Sequence, residues 1–428
     1  MKVLIVGGGG REHALAWKLT ASPHLGTLWI EPAANAAIQT LGRPCPVPTD
    51  LSQAFRLQRW CESEGIDLVV VGPEGPLAAG ITDALTTDDC RVFGPKKSAA
   101  RLESDKAFAK KLMRQAAIPT ADTRIFTDQA SALTYVESRD EPCVVKAAGL
   151  AAGKGAIVCD GQEDAAAAVR LIMLERAFGE AGDVVLVEER LEGQEVSVLA
   201  LVDGRTLWIL DPCQDHKQVG EGDTGPNTGG MGAYCPTPLL DEATMAVIER
   251  EIMVPTVDAL RREGIEYRGV LYAGLMLTPA GPRVLEFNCR FGDPECQPLM
   301  TRLRSDLLPI LWATAGGSID EIDIEFEPGV SCCVVMCAEG YPGPYPKGQV
   351  ITGIDEAEAG DDVLVFHAGT TRNEDGELVT NGGRVLGVTA RGPDLLAARD
   401  LANAACEVIH FDGAFHRRDI GDRVLVRS

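Results

Sequence analysis

The sequence predicts a multidomain chain of mixed α/β and α+β class. It would comprise an N-terminal open parallel sheet, a small hairpin-bearing unit, a central antiparallel sheet and a small C-terminal α/β unit. Three observations predict this. Over residues 1–103, apolar β-branched runs alternate with amphipathic stretches, the pattern of βαβ units on a parallel sheet. Beyond residue 191, strand-like runs follow one another, and Asp203-Gly204 between two of them is a hairpin signal. The chain has 428 residues, enough for about three domains at roughly 150 residues each.

The elements follow in order. KVLIVG is a buried strand, REHALAWKLT a helix, TLWIE a strand and LSQAFRLQRWCESEG a helix. IDLVVVGPEGP is a strand and turn, LAAGITDALTT a helix and CRVFGP a strand. A helix rich in Ala and Lys is expected from Ser98 to Ala117. The run VVKAAGLAAGKGAIV, Val144 to Val158, reads as strand, flexible loop, strand, with Lys146 on the first strand and Lys154 in the loop. It is not a P-loop: Gly149 and Gly153 enclose too few residues, and Gly155 rather than a hydroxyl residue follows Lys154. Domain bounds are expected at 1–103, 104–122 (a connecting helical region), 123–190, 191–327 and 328–428. In the last unit Gly340–Gly348 is a loop by its Gly and Pro content, and DLLAARDLANAACEVI a helix.

Composition narrows the function. At 45% hydrophobic and 24% charged the chain is globular. Its net charge of −23 argues against nonspecific binding to nucleic acid or anionic membrane. Anionic small substrates stay open, because a local Lys and Arg cluster can hold them. Thirteen scattered cysteines include no C-x-x-C pair, and Cys332, Cys333 and Cys337 in SCCVVMC read as small core residues. With no signal-like or membrane-length apolar run, a reducing, cytoplasmic setting is expected.

Four motifs can carry chemistry. VGGGGREHA lacks the third glycine of a dinucleotide fingerprint, which falls at Glu12 or His13, so a single phosphate at the helix N-terminus fits it better. Glu31 sits where a ribose-binding acid would, so a nucleotide-dependent oxidoreductase stays a second reading. In VLVEERLEGQEVS, Glu188 could accept from an exocyclic amine and Glu195 from ribose hydroxyls, and Glu195 and Ser197 share a strand face. DHKQVGEGDTGPNTGGMGAY is too long for an idle loop, and Asp215, Lys217, Asn227, Thr228 and the backbone of Gly229 are candidate ligands. In RVLEFNCRFGDPE, strand periodicity puts Glu286, Asn288 and Arg290 on one face and Leu285, Phe287 and Cys289 on the packed one. Glu and Asn are hard oxygen donors suited to Mg²⁺, and Arg290 beside them suits an anionic substrate.

With these motifs in this order, the whole chain resembles the phosphoribosylamine–glycine ligase (glycinamide ribonucleotide synthetase) family of the ATP-grasp superfamily. The resemblance also rests on VGPEGPLAAGITDAL, HAGT with NGGRVL, and RRDIG. It implies an ATP-grasp architecture, and it implies ligation of glycine to 5-phosphoribosylamine through a glycyl phosphate, with ATP and Mg²⁺ (or Mn²⁺). The hairpin becomes the lid over the triphosphate. Lys106, Lys146 and Lys154 become phosphate contacts, Glu188, Glu189, Leu191 and Glu195 the adenosine contacts, and Glu286 and Asn288 the metal ligands. Arg290 would hold the glycine carboxylate and Asp215 its ammonium. Gly9, Arg11, His13, Asn35 and Glu74 would meet the phosphoribosyl group. A monomer is expected. Three stretches depart from the family pattern: Lys146-Ala147-Ala148-Gly149, Glu103-Ser104-Asp105-Lys106 and Pro32 to Ala37. A carboxylase using bicarbonate is the alternative within the superfamily.

Overall fold

A computed structural model describes residues 1–151 and 153–425. The N-terminal sheet is wholly parallel, in the order Arg43–Pro44, Thr27–Ile30, Lys2–Val6, Leu68–Val71, Arg91–Phe93. Val3, Leu4, Ile5, Leu68, Val69 and Val70 are fully buried, as expected for parallel strands covered on both faces. The strand order reverses between Lys2–Val6 and Leu68–Val71. Their carboxyl ends open into the turns Gly7–Gly9 and Gly72–Glu74, the switch point where such sheets form a crevice.

The expected helix from Ser98 to Ala117 is two helices, Lys97–Ser104 and Lys106–Gln115. Asp105 breaks it: its backbone leaves the helical region and its carboxylate accepts from Phe108 N at 2.9 Å, capping the second helix. The small unit is an antiparallel sheet ordered Thr123–Phe126, Val185–Glu189, Cys143–Ala147, Ala156–Cys159. The predicted hairpin is present, with Lys146 opposite Ala156.

The central antiparallel sheet is ordered Leu207–Ile209, Gln194–Asp203, Arg268–Thr278, Gly281–Asn288. It shares one core with the parallel sheet and the paired helices: Leu4, Val69, Leu102, Leu112, Val198, Leu271 and Phe287 pack in one cluster. The stretch Asp215 to Tyr234 is more than a loop. It forms the strands Gln214–Asp215 and Gly232–Cys235 and a hairpin of Gln218–Gly220 with Thr224–Asn227. The first two join the C-terminal sheet, ordered Gln214–Asp215, Gly232–Cys235, Val330–Cys337, Arg384–Gly392, Val363–His367. The expected boundary at 327/328 therefore falls between strands of a single sheet. Cys332, Cys333 and Cys337 are fully buried and unbridged. Among the described residues, no helix is long and apolar enough to cross a membrane.

Candidate active site

The site begins at the two strands that carry opposite charges toward each other. On Cys143–Ala147, Lys146 points off the lid sheet; opposite, Gly281–Asn288 ends at the central sheet's edge. The pairing of Gly281–Asn288 slips by one residue at Leu285, between the pairs Leu275↔Val284 and Gly274↔Glu286. The bulge takes Leu285 off the packed face expected for it and turns its carbonyl to the lid, where it accepts from Lys146 Nζ at 3.1 Å. Strand pairing ends at Asn288, so Arg290 is not in strand register with Glu286 as periodicity implied. It curls back instead, and its Nη2 donates to Asn288 Oδ1 at 3.2 Å.

Lysines dominate the lid side. Lys146 Nζ lies 2.9 Å from Glu188 Oε2, and Lys110 Nζ lies 3.1 Å from Glu188 Oε1. Glu188, expected at an adenine amine, is instead buried between these two cations. Lys106, one turn before Lys110 on the same helix face, donates from Nζ to Gly149 O at 3.0 Å, and its N–H bonds Ala148 O at 2.9 Å. Ala148, a departure from the family pattern, is buried and acts through its backbone; its N–H also bonds Val184 O at 3.0 Å. Burial lowers the Lys106 ammonium below its ordinary value and lowers Lys110 to about 8 despite Glu188. Lys154, at the hairpin tip, reaches Pro342 O of the C-terminal unit at 3.3 Å.

On the opposing side Lys217 stands between Glu195, at 3.4 Å, and Glu286, at 3.9 Å. Glu195 holds the Lys217 ammonium well above its ordinary range. Burial works to raise the Glu286 carboxyl, but Lys217, Lys146, Lys106 and Arg290 together draw it below the usual carboxylate range. Arg290 pairs with Glu103 at 2.8 Å and Glu74 at 3.3 Å. Asp215 Oδ1 is buried without a hydrogen-bond partner, and burial, reinforced by Glu295, raises its carboxyl well above the ordinary value. Glu295 accepts from Tyr272 OH at 2.5 Å and from Ser197 Oγ at 3.1 Å.

Around the switch point the predicted residues divide. Gly9 N donates to Glu12 Oε2 at 2.7 Å, Arg11 Nε to Glu12 Oε1 at 2.7 Å, and Arg11 Nη1 to Phe291 O at 3.1 Å. Glu31, the supposed ribose acid, accepts from Gly7 N at 2.6 Å. The Asn35 amide donates to Gly8 O, Gly9 O and His367 O and accepts from Ala37 N and Ile38 N. It is buried and saturated by protein groups, so it is a clamp on the glycine turn rather than a sugar-phosphate ligand. His13 Nδ1 accepts from His367 N at 2.8 Å, and burial pushes its pKa down to about 3. It is neutral and supplies no charge to a phosphate. Glu189 bonds Arg283 at 2.8 Å and Asp122 N at 3.1 Å, and Leu191 follows half-buried in the connection from lid to central sheet. Thr228 N and Oγ1 both donate to Lys217 O at 2.8 Å, while Asn227 pairs with Gln218.

Sequence reasoning missed Lys110, Glu103, Glu295 and Arg384. The spacing from Lys106 could have found Lys110. Arg384 lies in the NGGRVL stretch, but nothing in the sequence ties it to its partner Gly229, 155 positions away in the chain.

Glu286 and Asn288 fit a divalent ion of the Mg²⁺ kind. Their oxygens are hard donors, the carboxylate is kept ionised by its lysines, and two protein ligands leave room for phosphate oxygens. Among the described residues no group of three or more His, Cys, Asp or Glu side chains is placed to hold a metal.

Comparisons with known proteins give the family of the chain. Models of the three phosphoribosylglycinamide synthetase domains match the chain: N domain at 1–103, ATP-grasp (A) domain at 104–296 and C domain at 331–423. The chain is 51% identical to a phosphoribosylamine–glycine ligase of Rhodopirellula baltica, over 100% of this chain and 98% of that one. It is similar to the crystal structure of a phosphoribosylamine–glycine ligase from Thermotoga maritima, with TM-score 0.84, 33% identity and coverage of 98% and 100%. The biotin carboxylase domain of Hydrogenobacter thermophilus 2-oxoglutarate carboxylase, solved with MgADP, shares the fold at TM-score 0.71 and 19% identity, covering 97% and 91%.

Proposed function

Because the chain belongs to the phosphoribosylglycinamide synthetase family, we propose that the cleft between its lid and central sheet joins glycine to 5-phosphoribosylamine with ATP. The products are glycinamide ribonucleotide, ADP and phosphate, a step of purine biosynthesis. A glycine carboxylate oxygen attacks the γ-phosphorus and the bond to ADP breaks. The amine then attacks the acyl carbon of glycyl phosphate, loses a proton and expels phosphate with the bonding pair. The observation that carries this reading is the convergence of Lys106, Lys146 and Lys217 on Glu286, with Lys146 bonded to the same strand at Leu285 O and Lys106 bonded to the hairpin at Gly149 O.

Phosphoryl transfer of this kind asks the protein for alignment and charge more than for a nucleophile. Lys106 and Lys146 offset negative charge on the phosphates, and Lys154 closes over them from the hairpin tip. Glu188 orients Lys146 and Lys110 and leaves the adenine edge to the backbone of Glu189 and Leu191. Glu195 meets the ribose. Glu286 and Asn288 would hold Mg²⁺ (or Mn²⁺), which supplies further positive charge to the phosphoryl oxygens when bound. The unpartnered Asp215 Oδ1 suits the glycine ammonium, which would supply the cation its burial lacks. Arg290, held in place by Glu74 and Glu103, is the candidate for the glycine carboxylate. Gly9, Arg11, His13 and Glu74 border the crevice offered to the phosphoribosyl group. A hairpin shut over the site would keep water from glycyl phosphate. We further expect a cytoplasmic monomer.

ADP release from Mg·ATP tests the reading, with glycine and freshly generated phosphoribosylamine added separately and then together. Release is expected only with both. Release driven by bicarbonate, or independent of glycine, would overturn it.

A further inference from the structure

The glycine-rich stretch that carries Asp215 and Lys217 is held from the far end of the chain. Both polar backbone atoms of Gly229 are taken by side chains of the C-terminal unit. Gly229 N donates to Tyr341 OH at 3.1 Å, and Gly229 O accepts from Arg384 Nη1 at 2.7 Å. The same guanidinium donates to Asp293 O at 2.6 Å and lies 3.2 Å from Asp293 Oδ2, so it also fixes the turn after Arg290.

Close approach explains the glycines. A Cβ on Gly229 would meet Arg384 Cζ at 3.1 Å, and one on Gly230, at φ +116°, would meet Pro294 Cδ at 2.5 Å and Asp215 Oδ1 at 2.9 Å. A Cβ on Gly383 would meet the Tyr341 ring at 2.3 Å, so this ring packs against the turn that delivers Arg384. From Gly229 the constraint passes to the chemistry in one step: its neighbour Thr228 bonds Lys217 O twice, and Lys217 Nζ stands between Glu195 and Glu286. The next residue after Tyr341, Pro342, receives Lys154 from the lid tip. One C-terminal loop therefore touches both the lid and the substrate-side glycines.

We propose that Tyr341 and Arg384 are positioning residues for the ligation, clamping Gly229 so that Lys217 stays registered against Glu195 and Glu286 while the lid docks on the same loop. The proposal rests on the ligase reading above. It predicts that loosening the clamp lowers turnover by more than it weakens nucleotide binding, because Lys106, Lys146 and Glu188 belong to other segments and only Glu195 and Lys154 border the clamp.

The test uses Tyr341→Phe, Arg384→Lys and Arg384→Ala in the full chain, with Lys347→Ala from the same loop as a control. Two readouts separate this proposal from the ligase reading. Hydrogen exchange over residues 218–231 reads the clamp whether or not the protein turns over. Steady-state kinetics and the Kd for ADP read its consequence. Tyr341→Phe, which deletes one hydroxyl, should speed exchange at Gly229 and lower kcat about fivefold, with the Kd for ADP within twofold. Arg384→Ala should lower kcat by about a hundredfold, with partial restoration by Arg384→Lys and by added guanidinium ion. Unchanged exchange in Tyr341→Phe and Arg384→Ala would overturn the clamp. Faster exchange with kcat and KM for glycine within twofold of the parent would overturn its positioning role. A parent chain without glycine-dependent ADP release would refute the ligase reading, and the positioning role with it, while the exchange data still judge the clamp.

Discussion

A carboxylate two residues along a strand from its neighbour can be assigned a face by periodicity, but not a partner. Glu188 and Glu286 show the difference. Both were identifiable as site residues, yet Glu188 meets two lysines from separate elements and Glu286 stands among cations from the lid, a helix and the glycine-rich stretch. Glu286→Gln removes the one charged oxygen donor of the proposed metal pair. We expect kcat to fall by about 10²- to 10³-fold and the Mg²⁺ activation constant to rise, a comparison made by titrating Mg²⁺ at saturating ATP. Unchanged Mg²⁺ dependence would remove Glu286 from the metal site.

The histidines give a prediction with a definite sign. His13 is held neutral, its pKa about 3 in the folded chain against 6.5 for an unperturbed group, because of burial and the proximity of His367. The unfolded chain therefore binds more protons between these values. The stabilisation is whole above pH 6.5 and is lost as pH falls toward 3. At pH 5 the loss from one such histidine is about 2 kcal/mol. His13→Asn keeps an acceptor for His367 N and removes the titration. Its urea midpoint should fall less than the parent's between pH 7.5 and 5.0; equal falls would refute the argument.

At the scale of elements, the hairpin was legible because its β-branched strands and its glycines demand strand, loop and strand. The break at Asp105 and the bulge at Leu285 were not. The first is a local cap by Asp105 that also brings Lys106 to Gly149 O, whereas the second needs a partner from elsewhere and turns Leu285 O to Lys146. The root of the lid is close-packed at Gly149, where a Cβ would lie 2.7 Å from Ala181 Cα, a backbone atom that cannot yield locally. Gly149→Ala should therefore displace the root and weaken ATP binding by about tenfold, roughly 1.4 kcal/mol. Gly360→Ala, where a Cβ meets nothing within 4 Å, should leave it unchanged. Isothermal titration with a nonhydrolysable ATP analogue measures both.

At the scale of the whole molecule, the C-terminal unit completes the site rather than decorating it. Its sheet contains Gln214–Asp215 and Gly232–Cys235, the strands that bracket the glycine-rich stretch. A chain ended at Glu327 would strip Val330–Cys337 from Gly232–Cys235 and leave that edge unpaired. We expect such a chain to be cleaved by trypsin at Lys217 and to show no glycine-dependent ADP release. Resistance at Lys217 would show that the strand pairing dispensable.

Local chemistry decided what the sequence could decide alone. Strand and helix alternation set the parallel domain, glycine spacing set the hairpin, and hard oxygen donors on one strand face marked the proposed metal pair. These follow from covalent geometry and side-chain period, which act over a few residues. Only the tertiary structure decided that Asn35 and Glu31 hold the glycine turn, that Glu188 lies between Lys110 and Lys146, and that Arg384 reaches Gly229. Those outcomes depend on which buried donor meets which acceptor once separate elements share a core. A buried polar group must find its partner wherever the fold supplies one, and sequence distance carries no record of it.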